Sequence, residues 1–321
     1  MHFCNPMLKV GVIGAGDWGK NHIRIYTESD CKLIGIADSD KNKKQLADSF
    51  NIEFFSDYKQ LLSLIDAVSV VVPTNMHYNV VKYCLSHGKH VLVEKPITND
   101  SKSAMELFAL AKNKNLVLAV GYLFRFNSAV NVLKEEIKNI GNIQYITGRF
   151  IHSNKPPRKD SGVIFNFGIH LVDILNYILG TTPKSVFCKR ACFLSDDRED
   201  VAFINMDYGS FIANLEVSWF HPLKERDFWI IGTKAKIYAD LFEQIVKKYP
   251  LKISYEKTNI EPEINLEVHK NEPLKDEIIA FLNDIENRNR RFDNIEEEIL
   301  TTKICELALE SAKTGKEMFI E

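Results

Sequence analysis

The sequence predicts an α/β chain in two domains: a doubly wound parallel sheet over residues 1–121, then an α+β domain over residues 122–321 with an antiparallel or mixed sheet. Three observations predict it. A short apolar strand runs into a glycine turn and then a helix-compatible segment. Apolar strands and helices then alternate as far as Gly121, the pattern of βαβ crossovers. Beyond Gly121, strand-like runs follow one another without helices between them. The chain has 321 residues, enough for each domain to bury its own core.

Residues 8–13, LKVGVI, form the first strand, and the turn that follows is GAGDWG, with Gly14, Gly16 and Gly19. A tight turn between a buried strand and a helix lets backbone N–H groups approach a pyrophosphate, whose charge the helix dipole favours. Residues 32–37 make a second strand that ends at Asp38, 19 positions after Gly19. A carboxylate at that distance accepts hydrogen bonds from an adenosine ribose and repels a 2′-phosphate. The cofactor expected is therefore NAD rather than NADP.

Residues 41–51 and 58–64 read as helices, 67–72 as a central strand, and 77–87 as a helix closed by Gly88. Val91, Leu92 and Val93 are too apolar for a surface strand, and they end in Glu94-Lys95-Pro96. Pro96 biases Lys95 toward extended backbone, which holds the cation at a strand exit. Residues 101–113 read as a helix and 116–121 as a strand. Ligands bind such sheets at the carboxyl ends of the strands. Gly14, Asp38, Pro73-Thr74-Asn75 and Glu94-Lys95 all fall at those ends.

After Gly121, residues 122–127 lead into a helix reaching residue 139, and 144–153 alternate as a half-exposed strand should. Residues 154–162 are loop by composition. Residues 162–180 read as one helix with a glycine just past its end. Strands are expected at 185–192, 201–207, 211–219, 226–232 and 235–240, and helices at 272–287 and 295–313.

Composition narrows the function classes. Lys+Arg 41 against Asp+Glu 43 leaves a net charge of −2, so no global field favours nucleic acid or an anionic membrane. The six cysteines form no CxxC pair, which argues against a zinc site and a disulfide framework and for reduced thiols in a cytoplasm. No run reaches the roughly 18 apolar residues of a membrane helix.

Two constellations carry chemistry. Lys95 is the first; alone, a lysine at a strand end is ordinarily just solvated. The second lies on the 162–180 helix, where Asn166, His170, Asp173 and Tyr177 recur at i, i+4, i+7 and i+11 as one polar stripe. That stripe lacks the Lys, Glu and Arg of a solvated face, which points it toward a cavity; the alternative for His170 is a satisfied structural histidine. Oxidising a secondary alcohol with NAD requires a base for the hydroxyl proton as hydride leaves carbon. A lysine whose pKa is lowered can take that proton, and a histidine can share it, with no metal.

In the GAGDWG turn with Asp17 and Trp18, Asp38, Pro73-Thr74-Asn75-Met76-His77, Glu94-Lys95-Pro96, Gly121-Tyr122-Leu123-Phe124-Arg125-Phe126 and Gly168-Ile169-His170-Leu171-Val172-Asp173, the chain resembles the Gfo/Idh/MocA family of sugar oxidoreductases. The likeness covers essentially the whole chain. It implies a Rossmann domain followed by a mostly antiparallel open-sheet domain used for oligomer contacts, in a homodimer or homotetramer. It also implies Lys95 and His170 as catalytic residues. Cofactor contacts are implied from Gly14, Gly16, Asp17, Trp18, Gly19, Asp38, Pro73, Thr74, Asn75, His77, Glu94 and Lys95. Tyr122, Arg125 and Asn166 join Lys95 and His170 as expected substrate contacts.

One departure matters. Many members carry Asp four residues before this histidine, and Asn166 stands there. Amide for carboxylate removes a proton acceptor, so Lys95 and His170 must carry the proton traffic. The branch acting on UDP-N-acetylglucosamine and its uronic acid looks similar here. The loop at 156–162 also looks like that of the nucleotide-sugar 3-dehydrogenases, with Arg158 beside Lys155 and Lys159 as cations for a diphosphate; an ordinary basic surface loop is the alternative. The leading expectation is oxidation of a sugar hydroxyl, at C3 of a UDP-N-acetylated amino sugar. The rivals are an inositol or free-sugar dehydrogenase, an NAD-using glycosidase, and a non-catalytic NAD-sensing regulator.

Overall fold

The computed structural model describes residues 7–153, 160–287, 291–292 and 295–320. The chain divides into two compact units, one of residues up to Gly121 with Leu274–Ile299, the other of Tyr122–Pro273 with Leu300–Glu321.

In the first unit, β1 (Lys9–Ile13), α1 (Asp17–Thr27), β2 (Lys32–Ala37), α2 (Lys44–Ser49), β3 (Glu53–Phe55), α3 (Tyr58–Leu62), β4 (Ala67–Val70), α4 (Thr74–Ser86), β5 (His90–Glu94), α5 (Ser101–Asn113) and β6 (Leu118–Gly121) alternate along the chain. The strands lie in the order β3-β2-β1-β4-β5-β6, and every pairing is parallel. This is the Rossmann arrangement, whose topological switch lies between β1 and β4. Val10, Val12, Val68, Val70, Val91, Leu92 and Val93 are fully buried, as strands covered on both faces require.

The apolar run at 67–72 stops as a strand at Val70. Val71 donates its N–H to the Ile13 carbonyl at 2.8 Å and the chain then turns into α4, which begins at Thr74 rather than at residue 77. Gly14 accounts for the close approach here. It has a φ of 97°, and a Cβ on it would lie 2.3 Å from the Val71 carbonyl oxygen.

The second unit contains α6 (Ser128–Glu136), β7 (Ile143–Ile151), α7 (Ile169–Leu179), β8 (Ser185–Ala191), β9 (Val201–Asp207), β10 (Ile212–Ser218), β11 (Glu225–Gly232), β12 (Lys236–Asp240), β13 (Ile245–Tyr249), and the short β14 (Leu251–Ile253), β15 (Thr258–Ile260) and β16 (Ile264–Leu266). Two long helices follow, α8 (Pro273–Asn287) and α9 (Ile295–Thr314), and then β17 (Met318–Phe319). The large sheet runs β16-β13-β12-β11-β7-β10-β9-β8-β17, parallel only between β7 and β10.

Ile146, Phe150, Phe228 and Ile230 face the buried side of that sheet, while Tyr145, Phe203 and Ile212 are exposed on the other. The expected helix at 162–180 divides into a π-helical turn, Ile164–Gly168, and α7, which Gly180 closes in the left-handed region at φ 60°. The first unit reclaims most of α8, where Ile278 and Phe281 are fully buried and Lys275 lies 3.7 Å from Glu28 of α1's C-cap. No helix among the described residues is long and apolar enough to cross a membrane.

Candidate active site

In the first unit the glycine turn ends β1 against α1. A Cβ on Gly19 would lie 2.0 Å from the Gly14 carbonyl oxygen, so helix and turn touch through glycine alone. A Cβ on Gly16 would meet nothing within 4 Å, and Gly16, Asp17 and Trp18 are exposed. This leaves the space above the N-terminus of α1 that a pyrophosphate takes. Asp38, at the end of β2, accepts from Ala15 N–H at 2.7 Å and from Asp40 N–H at 2.9 Å. Its two oxygens keep further lone pairs for ribose hydroxyls. Pro73 and Asn75 are exposed at the start of α4, beside buried Thr74. The turn, the acid and the first residues of α4 fit a dinucleotide.

Lys95 follows β5 and is half-buried. Its neighbours in the chain are tied down. The Pro96 carbonyl lies 2.7 Å from His77 Nδ1, and His77 Nε2 lies 2.9 Å from the Val72 carbonyl. His77 therefore braces two strand exits. Glu94 points inward, and its Oε1 accepts from Trp18 Nε1 at 2.6 Å and from His22 Nε2 at 3.1 Å. In the neutral ring His22 Nδ1 then accepts from Ser69 Oγ at 3.1 Å, and Ser69 exchanges a hydrogen bond of 2.8 Å with Tyr26.

Sequence reasoning missed His22, Ser69 and Tyr26. The available signal was their burial pattern: His22 and Tyr26 lie four apart on the inner face of α1, and Ser69 is the one polar residue in β4. Burial pushes the Glu94 carboxyl up, but the hydrogen bonds from His22 and Trp18, with the charge of Lys95, hold it below its ordinary value. A depressed folded-state pKa gives stability that is fully present above the unfolded value and is lost as pH falls through the folded one. His22→Asn is expected to destabilise the fold at pH 7 by about 1–3 kcal/mol. The difference from wild type should narrow as pH falls below 4.5, the ordinary glutamate value. Thermal melts across that range check it; a difference independent of pH would disconnect His22 from the Glu94 charge.

In the second unit α7 lays His170 against the buried face of β7. The His170 ring is stacked on Phe150 at 5.5 Å and meets Phe124 edge-on at 5.1 Å. Phe150 also stacks on Phe167 at 4.6 Å, and Phe167 meets His152 at 4.7 Å. His170 is 6% exposed and Asp173 1%, so the polar stripe is turned inward. Asn166, on the π-helical turn, and Tyr177 are half-buried, and Tyr177 donates to Asn131 Oδ1 at 3.0 Å.

Arg125 and Tyr122, expected at the substrate, are engaged within the protein. The Arg125 Nε donates to both Asp173 oxygens at 3.0 and 3.1 Å, its guanidinium lies over Tyr122 at 5.1 Å, and Tyr122 is 1% exposed. The bidentate fork fixes Arg125 to α7. Arg158, with Lys155 and Lys159, lies outside the described residues. Lys95 belongs to the first unit and His170 to the second.

Residues 8–122 match the oxidoreductase family with an NAD-binding Rossmann fold, and residues 133–238 match the Gfo/Idh/MocA C-terminal domain. The UDP-N-acetylglucosamine 3-dehydrogenase of Acidithiobacillus ferrooxidans is 30% identical over 213 residues, 66% of this chain and 67% of that protein. The glucose-6-phosphate 3-dehydrogenase of Bacillus subtilis is 28% identical over 188 residues, 54% of each chain. The solved structure of the Acidithiobacillus enzyme superposes with a TM-score of 0.85 at 25% identity, covering 96% of this chain and 98% of that one. The chain belongs to the Gfo/Idh/MocA family of oxidoreductases, as an NAD(P)-dependent dehydrogenase with an NAD-binding Rossmann domain.

Proposed function

We propose that the protein oxidises a secondary hydroxyl of a sugar, at C3 of a UDP-N-acetylated amino sugar, with Lys95 as base and His170 assisting. The observation that carries this reading is Lys95 itself. It is a half-buried amine at a strand exit on the edge of the sheet that also bears the glycine turn and Asp38, with Glu94 anchored inward and Pro96 braced by His77. NAD, when bound, supplies the hydride acceptor. Lys95 takes the hydroxyl proton; His170, held by Phe150 and Phe124, shares it and orients the oxygen. Asn166 in place of a carboxylate leaves no second acid in that relay. The similar proteins named above act at C3 of a sugar, which supports the choice of hydroxyl.

NADH formation tests the substrate. UDP-N-acetylglucosamine or its uronic acid should support turnover, and activity confined to free inositols would overturn the nucleotide-sugar assignment. Aglycone release without NADH build-up would identify a glycosidase instead.

Asp38 sets the cofactor. Asp38→Ser is expected to remove the repulsion of a 2′-phosphate and to move the NAD-to-NADP preference by about 10–100-fold toward NADP, read as the ratio of kcat/KM values. An unchanged ratio would assign discrimination to other residues. We further assign a homodimer or homotetramer to the open sheet face, where Tyr145, Phe203 and Ile212 are exposed. Sedimentation of Phe203→Glu is expected to show smaller species.

A further inference from the structure

Arg226 lies on β11 directly across from Phe150 of β7, on the buried side of the sheet that also carries Phe228 and Ile230. Asp227, next in the chain, faces the other side and is taken by Arg149. The Arg226 guanidinium sits 4.4 Å from the centre of the Phe150 ring, the same ring that stacks on His170, and 5.8 Å from that of Phe242. Its Nε is buried with no hydrogen-bond partner among the described residues. Burial pulls the guanidinium down to about 10, with no offset from a carboxylate among the described residues. Lys224 brings a second cation to the Phe242 ring, at 3.4 Å.

A desolvated guanidinium whose Nε has no partner costs stability, and aromatic stacking returns only part of that cost. Such a group is retained where a ligand completes it, and its planar fork matches a carboxylate or phosphoryl group. We propose that Arg226 anchors an anionic group of the substrate, phosphoryl or carboxylate, in the second unit beside Phe150 and His170. This deepens the proposed function by naming the chemistry that selects the sugar, and it rests on that reading only for the identity of the substrate.

Calorimetric binding to the NAD-loaded protein tests it with charged and uncharged probes: UDP against uridine, glucose 6-phosphate against glucose, and glucuronate against glucose. Wild type should prefer at least one charged probe, the phosphate pairs and the glucuronate pair distinguishing the two sources of charge. R226M is expected to lower that preference by about 10–100-fold, and R226K, which keeps the charge but not the fork, by several-fold. Without ligand, R226M should melt no lower than wild type, since a desolvated cation whose Nε has no partner has been removed; a purely structural stacking role would lower the melting temperature and leave the preference intact. An unchanged preference in R226M, or in R226K should R226M not fold, overturns the proposal. NADH formation from a sugar without any charge preference would leave the dehydrogenase reading standing and remove this one. R226-dependent anion binding with no sugar oxidised would do the reverse.

Discussion

Lys95→Ala is expected to lower turnover by about 10²–10⁴-fold, the range for loss of a positioned general base, while NAD binding changes little. The asymmetry follows from how the residue is held. The backbone before Lys95 is fixed by the Glu94 carboxylate, which accepts from Trp18 and His22, and the backbone after it by the Pro96 carbonyl against His77. These contacts are made through Glu94 and Pro96, so truncating Lys95 keeps them, and with them the strand exit, the glycine turn and Asp38. The loss should therefore fall on kcat, with the dissociation constant for NAD moving less than a few-fold. Stopped-flow hydride transfer and fluorescence titration of NAD separate the two. Turnover equal to wild type would remove Lys95 as the base, and loss of NAD binding in step with turnover would make it a structural residue of the cofactor site.

The cofactor half of the protein was legible because its constraints are local. Gly14 must approach the Val71 carbonyl, Gly19 must approach the Gly14 carbonyl, and Asp38 must end a strand; spacing along the chain records all three. What could not be read was the pairing of residues far apart in sequence. Glu94 reads as a cofactor ligand, but its carboxylate is turned back onto His22, 72 positions earlier. Arg125 reads as a substrate contact, but Asp173, 48 positions later, holds it. The polar stripe was readable from its spacing and from its lack of long charged side chains; His170 and Asp173 on it are buried, Asn166 and Tyr177 half-buried. The π-helical turn that carries Asn166 has no periodicity to betray it over a single turn. The strands β14 to β16 were missed because they are short and largely exposed, and β13 because it buries a single residue, Val246, so none shows the buried alternation by which strands are recognised.

Asp173→Ala should be the most damaging substitution for stability in the second unit, at about 3–5 kcal/mol, or roughly 6–20 °C in Tm. Asp173 is 1% exposed and its two oxygens receive the Arg125 fork. Removing it strands a largely buried guanidinium between Tyr122 and Tyr177 without its carboxylate. Arg125→Ala should cost a comparable amount, because the buried carboxylate then loses that fork. Replacing both by apolar residues of similar size, Arg125→Met with Asp173→Leu, is expected to recover most of the loss, since each ion's desolvation disappears along with their attraction. The double variant should still be a poor enzyme. Asp173 lies three residues after His170, so the pair fixes the face that α7 presents and, with it, the imidazole against Phe150. Stability recovered without activity would show that the ion pair is kept for the orientation of α7; recovery of both would leave His170 positioned by its aromatic neighbours alone.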